Sequence, residues 1–274
     1  MTAHGASREA LAAARERLDA LTDSTSVDPK QLADELAAVT ALFSREVSLR
    51  RVLTDPAQSG EAKAELAGRL LSGQVGGETA DLVAGMVRSR WSQSRDLVDA
   101  LEELTNLADL TGAQKTGGLD NVEDELFRFS RIVSSDNALR AALTDRAASN
   151  TAKSELLRSL LGGRAEVVTE RLVERLVTAP RGRSLEEGIV SLSKLAADRR
   201  NRMVAVVTSA VPLSDRQKER LGAALAKVYG RPMHLNLDVD PAVLGGITVQ
   251  VGDEVINGSI ADRIEEAGRR VAGQ

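Results

Sequence analysis

Apolar residues recur at helical spacing through the first two hundred positions. Leu32, Leu36, Val39, Phe43 and Val47 form one stripe, and Val122, Leu126, Phe129 and Val133 form another. Intervals of three and four place such side chains on one face of a helix, so each stripe predicts an amphipathic helix turned towards a core. The punctuation agrees with the periodicity. Leu53-Thr54-Asp55 and Leu143-Thr144-Asp145 start loops, and Ser59 and Ser149 stand where the next helix needs an N-cap. That helix runs to Gly73 in the first case and to Gly162-Gly163 in the second. Two later stripes, Leu97, Leu101, Leu104 and Ala108, then Leu185, Ile189, Leu192 and Ala196, predict one more helix each.

These parallels are a duplication. Laying Leu49 to Leu71 over Leu139 to Leu161, an offset of 90, gives 13 identities in 23 positions. The run from Asp34 to Leu36 repeats at Asp124 to Leu126, and Gly73, Leu82 and Val83 repeat at Gly163, Leu172 and Val173. A period this long, present twice, predicts two tandem globular bundles rather than a solenoid of many short units. Boundaries are expected near 1–105 and 106–200. The helix carrying Leu97 runs towards Leu110 before Gly112 and Gly117-Gly118, so the bundles are expected to share a nearly continuous helix with a flexible joint.

The texture changes after residue 200. Met203 to Ala210 is a continuous β-branched, apolar run of the kind found in buried strands. Ser214 and Gln217 make a capping-box spacing, and Leu221, Ala224, Leu225 and Val228 form a helical stripe ended by Gly230. Leu235, Leu237 and Val239 alternate with polar residues, as do Ile247, Val249 and Val251, and predict two half-buried strands. Gly252-Asp253 reads as a turn and Val255-Ile256 as a short strand. Ser259 and Asp262 cap a last helix with Ile264, Ala267 and Val271. The fold class is therefore mainly α with a small α+β C-terminal domain at 201–274: two tandem helical bundles, then a compact β-α-β-β-α domain.

Composition narrows the chemistry. A net charge of -4 and no basic stripe argue against a nucleic-acid grip. With no cysteine there is neither a disulfide framework nor a thiolate ligand, as suits a reducing cytoplasm. Arg8, Arg15, Arg17, Glu9, Glu16 and Asp19 interrupt the N-terminal alanines, so no signal peptide is expected, and no run of about 18 apolar residues predicts a membrane span. The two histidines, His4 and His234, are too far apart to suggest a metal cluster, and no phosphate-cradling Gly-rich loop occurs. No catalytic residue, cofactor or metal is expected.

The run Thr208 to Ser214, Leu237-Asp238-Val239-Asp240-Pro241, Leu244-Gly245-Gly246-Ile247, then Val249, Gly252-Asp253, Val255-Ile256 and Gly258-Ser259 resembles the ATP synthase delta subunit (OSCP) family. The likeness continues upstream through Leu139 to Leu161. It implies a non-catalytic stator piece at the cytoplasmic face of the cell membrane. In that family the helical bundle receives the N-terminal helix of one alpha subunit, and the C-terminal part meets the peripheral-stalk b subunit. The additional copy at 1–105 resembles the actinobacterial form, and its partner is open. Membrane association would then come only through the complex, with no direct nucleotide contact. The rival readings are a free-standing helical adaptor and an enzyme using Asp238, Asp240 and Asp253, which fall at strand ends and turns where Asp is favoured locally.

Partner-binding candidates are Leu172, Val173, Leu176 and Val177 in the second bundle and Asp240, Gly245, Gly246, Asp253 and Gly258 in the tail. Each has a structural alternative: the four apolar residues have core spacing, and the glycines suit turns needing positive φ. Trp91, among Arg88, Arg90 and Arg95, is either a partner hot spot or a ring at the bundle edge, and Phe127 and Phe129 share that ambiguity. Arg199, Arg200 and Arg202 read as a solvated linker, with an acidic stalk helix as the other possibility.

Overall fold

Each predicted stripe becomes one wall of a helical bundle. The computed structural model describes residues 5–23, 27–201, 203–229, 233–240, 246–251 and 254–257, in two compact units, Met1–Arg199 and Arg200–Gln274. The first unit runs α1 (Gly5–Asp23), α2 (Pro29–Arg45), α3 (Val47–Leu53), α4 (Gly60–Leu71), α5 (Gly77–Arg88), α6 (Ser94–Lys115), α7 (Leu119–Ser135), α8 (Asn137–Thr144), α9 (Asn150–Leu161), α10 (Val167–Thr178) and α11 (Leu185–Asn201). Helices α2, α4 and α5 reappear 90 residues on as α7, α9 and α10 with identical bounds. Ser59 and Ser149 cap as expected, each Oγ accepting the N–H three residues on, at 3.1 Å.

The same offset carries α1 onto residues 95–113, inside α6. One helix thus closes the first bundle and opens the second. Its Leu97, Leu101, Leu104 and Ala108 belong to one apolar cluster, while Leu110 and Ala113 belong to the next. Between Ala100 and Thr111 such a helix is buried on nearly every side, with Glu103 half-buried. Its buried polar groups are satisfied accordingly: Thr105 and Thr111 donate to carbonyls one turn back, at 2.8 Å each. Contrary to the expected joint, α6 runs unbroken through Gly112, where an added Cβ would meet only Pro29 at 3.7 Å. The chain turns at Gly117 (φ 75°), and Gly118 N–H closes the helix end onto Ala113 O at 2.8 Å.

Val47 does not extend the α2 stripe. Glu46 (φ -92°, ψ 78°) breaks the helix, and Val47 opens α3 and is 43% exposed. Arg50 stabilises that break by donating to Phe43 O and Ser44 O, carbonyls that α2 leaves without partners.

The second unit has β1 (Met203–Ser209), α12 (Asp215–Tyr229), β2 (Met233–Val239), β3 (Ile247–Val251) and β4 (Glu254–Asn257) in sheet order β2-β1-β3-β4. β1 pairs parallel with β2 across the α12 crossover and antiparallel with β3, and β3 and β4 form an antiparallel pair. The apolar β1 is therefore interior to the sheet, as its sequence predicted. Gln217 accepts from Ser214 N–H at 2.9 Å, the reciprocal half of a capping box. Val207, Leu225, Val249 and Val251 form the core. The alternation in β2 overstated its burial, because β2 is an edge strand. Leu235 packs on that core, whereas Leu237 and Val239 are exposed, as is Val228 on α12. The helix end at Gly230, the turn at Gly252-Asp253 and the last helix from Ser259 lie outside the described residues. Among the described residues, no helix is long and apolar enough to cross a membrane.

Candidate partner-binding surfaces

Leu172, Val173, Leu176 and Val177 lie on the inner face of α10, all 5% exposed or less, within the second apolar cluster. Two concavities nevertheless reach them. A slot of about 320 Å³ between α6, α10 and α11 includes Leu172, Leu176, Leu192 and Leu195 among its lining, with Arg95, Arg175, Glu102 and Glu103 also present. A wider cavity of about 680 Å³ at the end of the bundle includes Leu176 and Val177. Leu176 therefore touches both. Gly188 allows the slot its tight wall, since a Cβ there would stand 2.2 Å from Leu176 Cδ1.

The duplication supplies a counterpart in the first bundle. Between α1 and α5, Ala10, Ala13, Ala14, Leu82, Gly85 and Met86 line a groove of about 390 Å³. Gly85 occupies the place that Arg175 takes in the second copy, so the first groove has only Glu16 and Arg17 as charged lining, while the second is rimmed by Arg95, Arg175, Arg183, Asp99, Glu102 and Glu103.

That charge is organised around α6. Asp109, 2% exposed, accepts from Arg171 Nε at 2.9 Å and from Arg175, while Arg171 also reaches Asp34 on α2 at 2.6 Å. Burial alone would lower the Arg171 pKa, but Asp109 and Asp34 outweigh it and raise it. Arg183 donates to both carboxylate oxygens of Glu102, at 2.6 and 2.7 Å. Arg181 reaches Ser44 Oγ at 3.0 Å. None of these pairs was visible in sequence spacing. The one available signal was Asp19 and Asp109 at matching places in the repeat, both buried in the fold.

Arg199 is not a solvated linker residue. It is 6% exposed, bonds to Asp19 on α1 and donates to Gln114 on α6 at 2.7 Å, because α11 continues past its own bundle to reach them. Arg200 is exposed, and Arg202 is outside the described residues. Trp91 turns inward at 8% exposure, its indole N–H donating to Met86 O at 2.7 Å. Phe129 is core, whereas Phe127 is 60% exposed. In the tail, Asp240 is exposed and its N–H donates to Ser209 O at 3.0 Å, and Gly246 adopts φ 85°. Gly245, Asp253 and Gly258 lie outside the described residues.

The ATP synthase delta (OSCP) subunit family matches residues 107–271, which spans the second bundle and the tail. The chain belongs to this family. It is 83% identical to the ATP synthase subunit delta of Streptomyces coelicolor over 269 residues, 98% of each chain. It is 78% identical to that of Streptomyces griseus, covering 98% of this chain and 100% of the other. The Thermobifida fusca protein is 46% identical over 98% of this chain and 99% of its own. The first bundle lies outside the family match but inside these full-length ones, so the doubled form of the delta (OSCP) subunit is shared with those relatives.

Proposed function

We propose that the chain is a non-catalytic stator subunit of a bacterial F-type ATP synthase, joining the alpha/beta head to the peripheral-stalk b subunit at the cytoplasmic face of the membrane. Its membership of the delta (OSCP) family across second bundle and tail carries this reading. A stator resists torque and performs no chemistry, so its requirements are tight grips and a stiff body between them. The first unit supplies stiffness through a shared α6 and ion pairs that cross between the bundles, Arg199–Asp19 buried and Arg171–Asp34 at the surface.

On this reading the N-terminal helix of an alpha subunit lies along the slot between α6, α10 and α11, with Leu172 and Leu176 as its floor. An amphipathic helix in a groove gains affinity from apolar anchors at helical spacing, and charge around the groove fixes its register. The tail, with Leu237, Val239, Val255 and Ile256 exposed on β2 and β4, meets the b subunit.

The test is calorimetric titration of the full chain with a peptide of the alpha subunit's N-terminal helix. Ser191→Trp fills the second-bundle slot and Ala13→Trp fills the first-bundle groove, both from exposed positions. Binding lost in the Ser191 variant and kept in the Ala13 variant is expected. The opposite pattern moves the grip to the first copy, and no binding to the unsubstituted chain removes it altogether.

A further inference from the structure

The cavity of about 680 Å³ at the far end of the second bundle is lined by four cations drawn from four places: Arg140 on α8, Arg146 in the loop after it, Lys153 on α9 and Arg183 before α11. One acid, Glu186, accompanies them and pairs with Arg140 at 3.4 Å. Arg183 is already held by Glu102. Lys153 is 8% exposed as a whole residue, and among the described residues neither its ammonium nor the Arg146 guanidinium has a hydrogen bond or ion pair. Lys153 lines the cavity without a carboxylate partner, so a bound anion supplies the counter-charge that the protein does not.

The first copy accounts for the vacancy in bonding. Lys63, the counterpart of Lys153, donates to Ser89 O at 3.4 Å in the loop leading to α6, and Trp91 of that loop packs into the first core. In the corresponding loop, which is two residues shorter between Val177 and Leu185 than between Val87 and Leu97, the second copy has Arg181, with φ 50°, followed by Gly182 with φ 79°. This backbone carries Arg181 away towards Asp99 and Ser44. Lys153 thus lacks the carbonyl acceptor that Lys63 has.

We infer that this cavity is an oxyanion site for a small phosphate-bearing molecule, with Lys153 and Arg146 as the principal donors. Cations converging from four elements suit a compact ion with several acceptor oxygens, whereas an extended acidic chain is matched by a linear stripe. The volume falls within the range of roughly 300–1,000 Å³ typical of small-ligand pockets. Leu143, Leu176 and Val177 provide an apolar floor for the rest of the molecule. The inference is independent of the helix grip.

Calorimetry and thermal shift of the full chain with sodium pyrophosphate, against sodium chloride at equal ionic strength, test it. One-to-one uptake is expected, weakened about tenfold or more by Lys153→Met and by Arg146→Ala, as befits loss of a charged hydrogen bond. Lys63→Met should leave it unchanged. Arg146 is exposed, so its variant reads the site even if Lys153→Met fails to fold. Phenyl phosphate should bind more tightly than inorganic phosphate, and the reverse order would overturn the apolar-floor assignment. Uptake indifferent to both cation substitutions, no uptake at all, or Lys153-dependent uptake of a hexaglutamate peptide without pyrophosphate would each overturn the proposal, the last in favour of an acidic partner segment.

Discussion

At Gly188 the packing of α11 on α10 tolerates no side chain. A Cβ would meet Leu176 Cδ1, Cδ2 and Cγ at 2.2, 2.8 and 3.0 Å, so the whole isobutyl group of a residue 5% exposed must move. Gly188→Ala is expected to destabilise the chain by about 1–3 kcal/mol, the usual range for overpacking, despite the better helix propensity of alanine. Urea denaturation of the two proteins checks this. Glu35 offers a residue-scale test of a different kind. Burial pushes its carboxyl up, but hydrogen bonds from Thr79, Gln31 and the Gly76 N–H outweigh it and hold the pKa below the ordinary value. A depressed folded pKa contributes stability that is present above the unfolded pKa, near 4.5, and is lost as pH falls through the folded one. Glu35→Gln should therefore be less stable than the parent at neutral pH, with the gap closing below about pH 4. A gap of constant size in pH-dependent melts would refute it.

At the scale of elements, the repeat reveals which local devices position each helix. Glu35 on α2 accepts from Gly76 N–H at 3.0 Å and from Thr79, and Glu125 on α7 accepts from Glu166 N–H at 3.0 Å and from Thr169 at 2.6 Å. In each bundle, then, a carboxylate of the second helix holds the N-terminus of the fifth, where its charge also suits the helix dipole. Ser59→Ala and Ser149→Ala each remove one N-cap, and each should cost about 1 kcal/mol by denaturant titration. The capped helices were legible because a cap and its apolar stripe are adjacent in sequence. The dual use of α6 was only partly so: Leu97 to Ala108 announces one buried face, while Glu102, Asn106 and Asp109 on its other faces look like solvent positions until their arginine partners are known. Core and groove shared the same ambiguity. Spacing brought Leu172 and Leu176 to an inner face but could not tell that a slot opens over them, because that depends on Gly188 and Ser191 twelve or more residues later. In the tail, alternation described β2 without disclosing that it is an edge, a property of sheet order and not of the strand.

The first unit as a whole is held together where its two copies meet. Arg199 pairs with Asp19 across 180 residues of sequence at 7% and 4% side-chain exposure, and Arg171 spans Asp34 and Asp109. With α6 common to both bundles, neither copy can unfold without stripping a wall from the other, which predicts one cooperative transition for the unit. Trp91, the only tryptophan, sits in the first cluster and reports that bundle alone, whereas far-ultraviolet dichroism reports all the helices. In the parent chain the two signals should move together through the helical transition. Removing one partner of a buried pair costs about 3 kcal/mol or more, because the other charge stays buried. Arg199→Met retains the apolar stem, so its main effect falls on the contact with α1. The tryptophan signal should then shift to lower urea by more than the dichroism signal, as the first bundle opens ahead of the second. If both shifted equally, α6 alone would suffice to couple the copies, and the ion pairs would add stability to the unit without adding cooperativity.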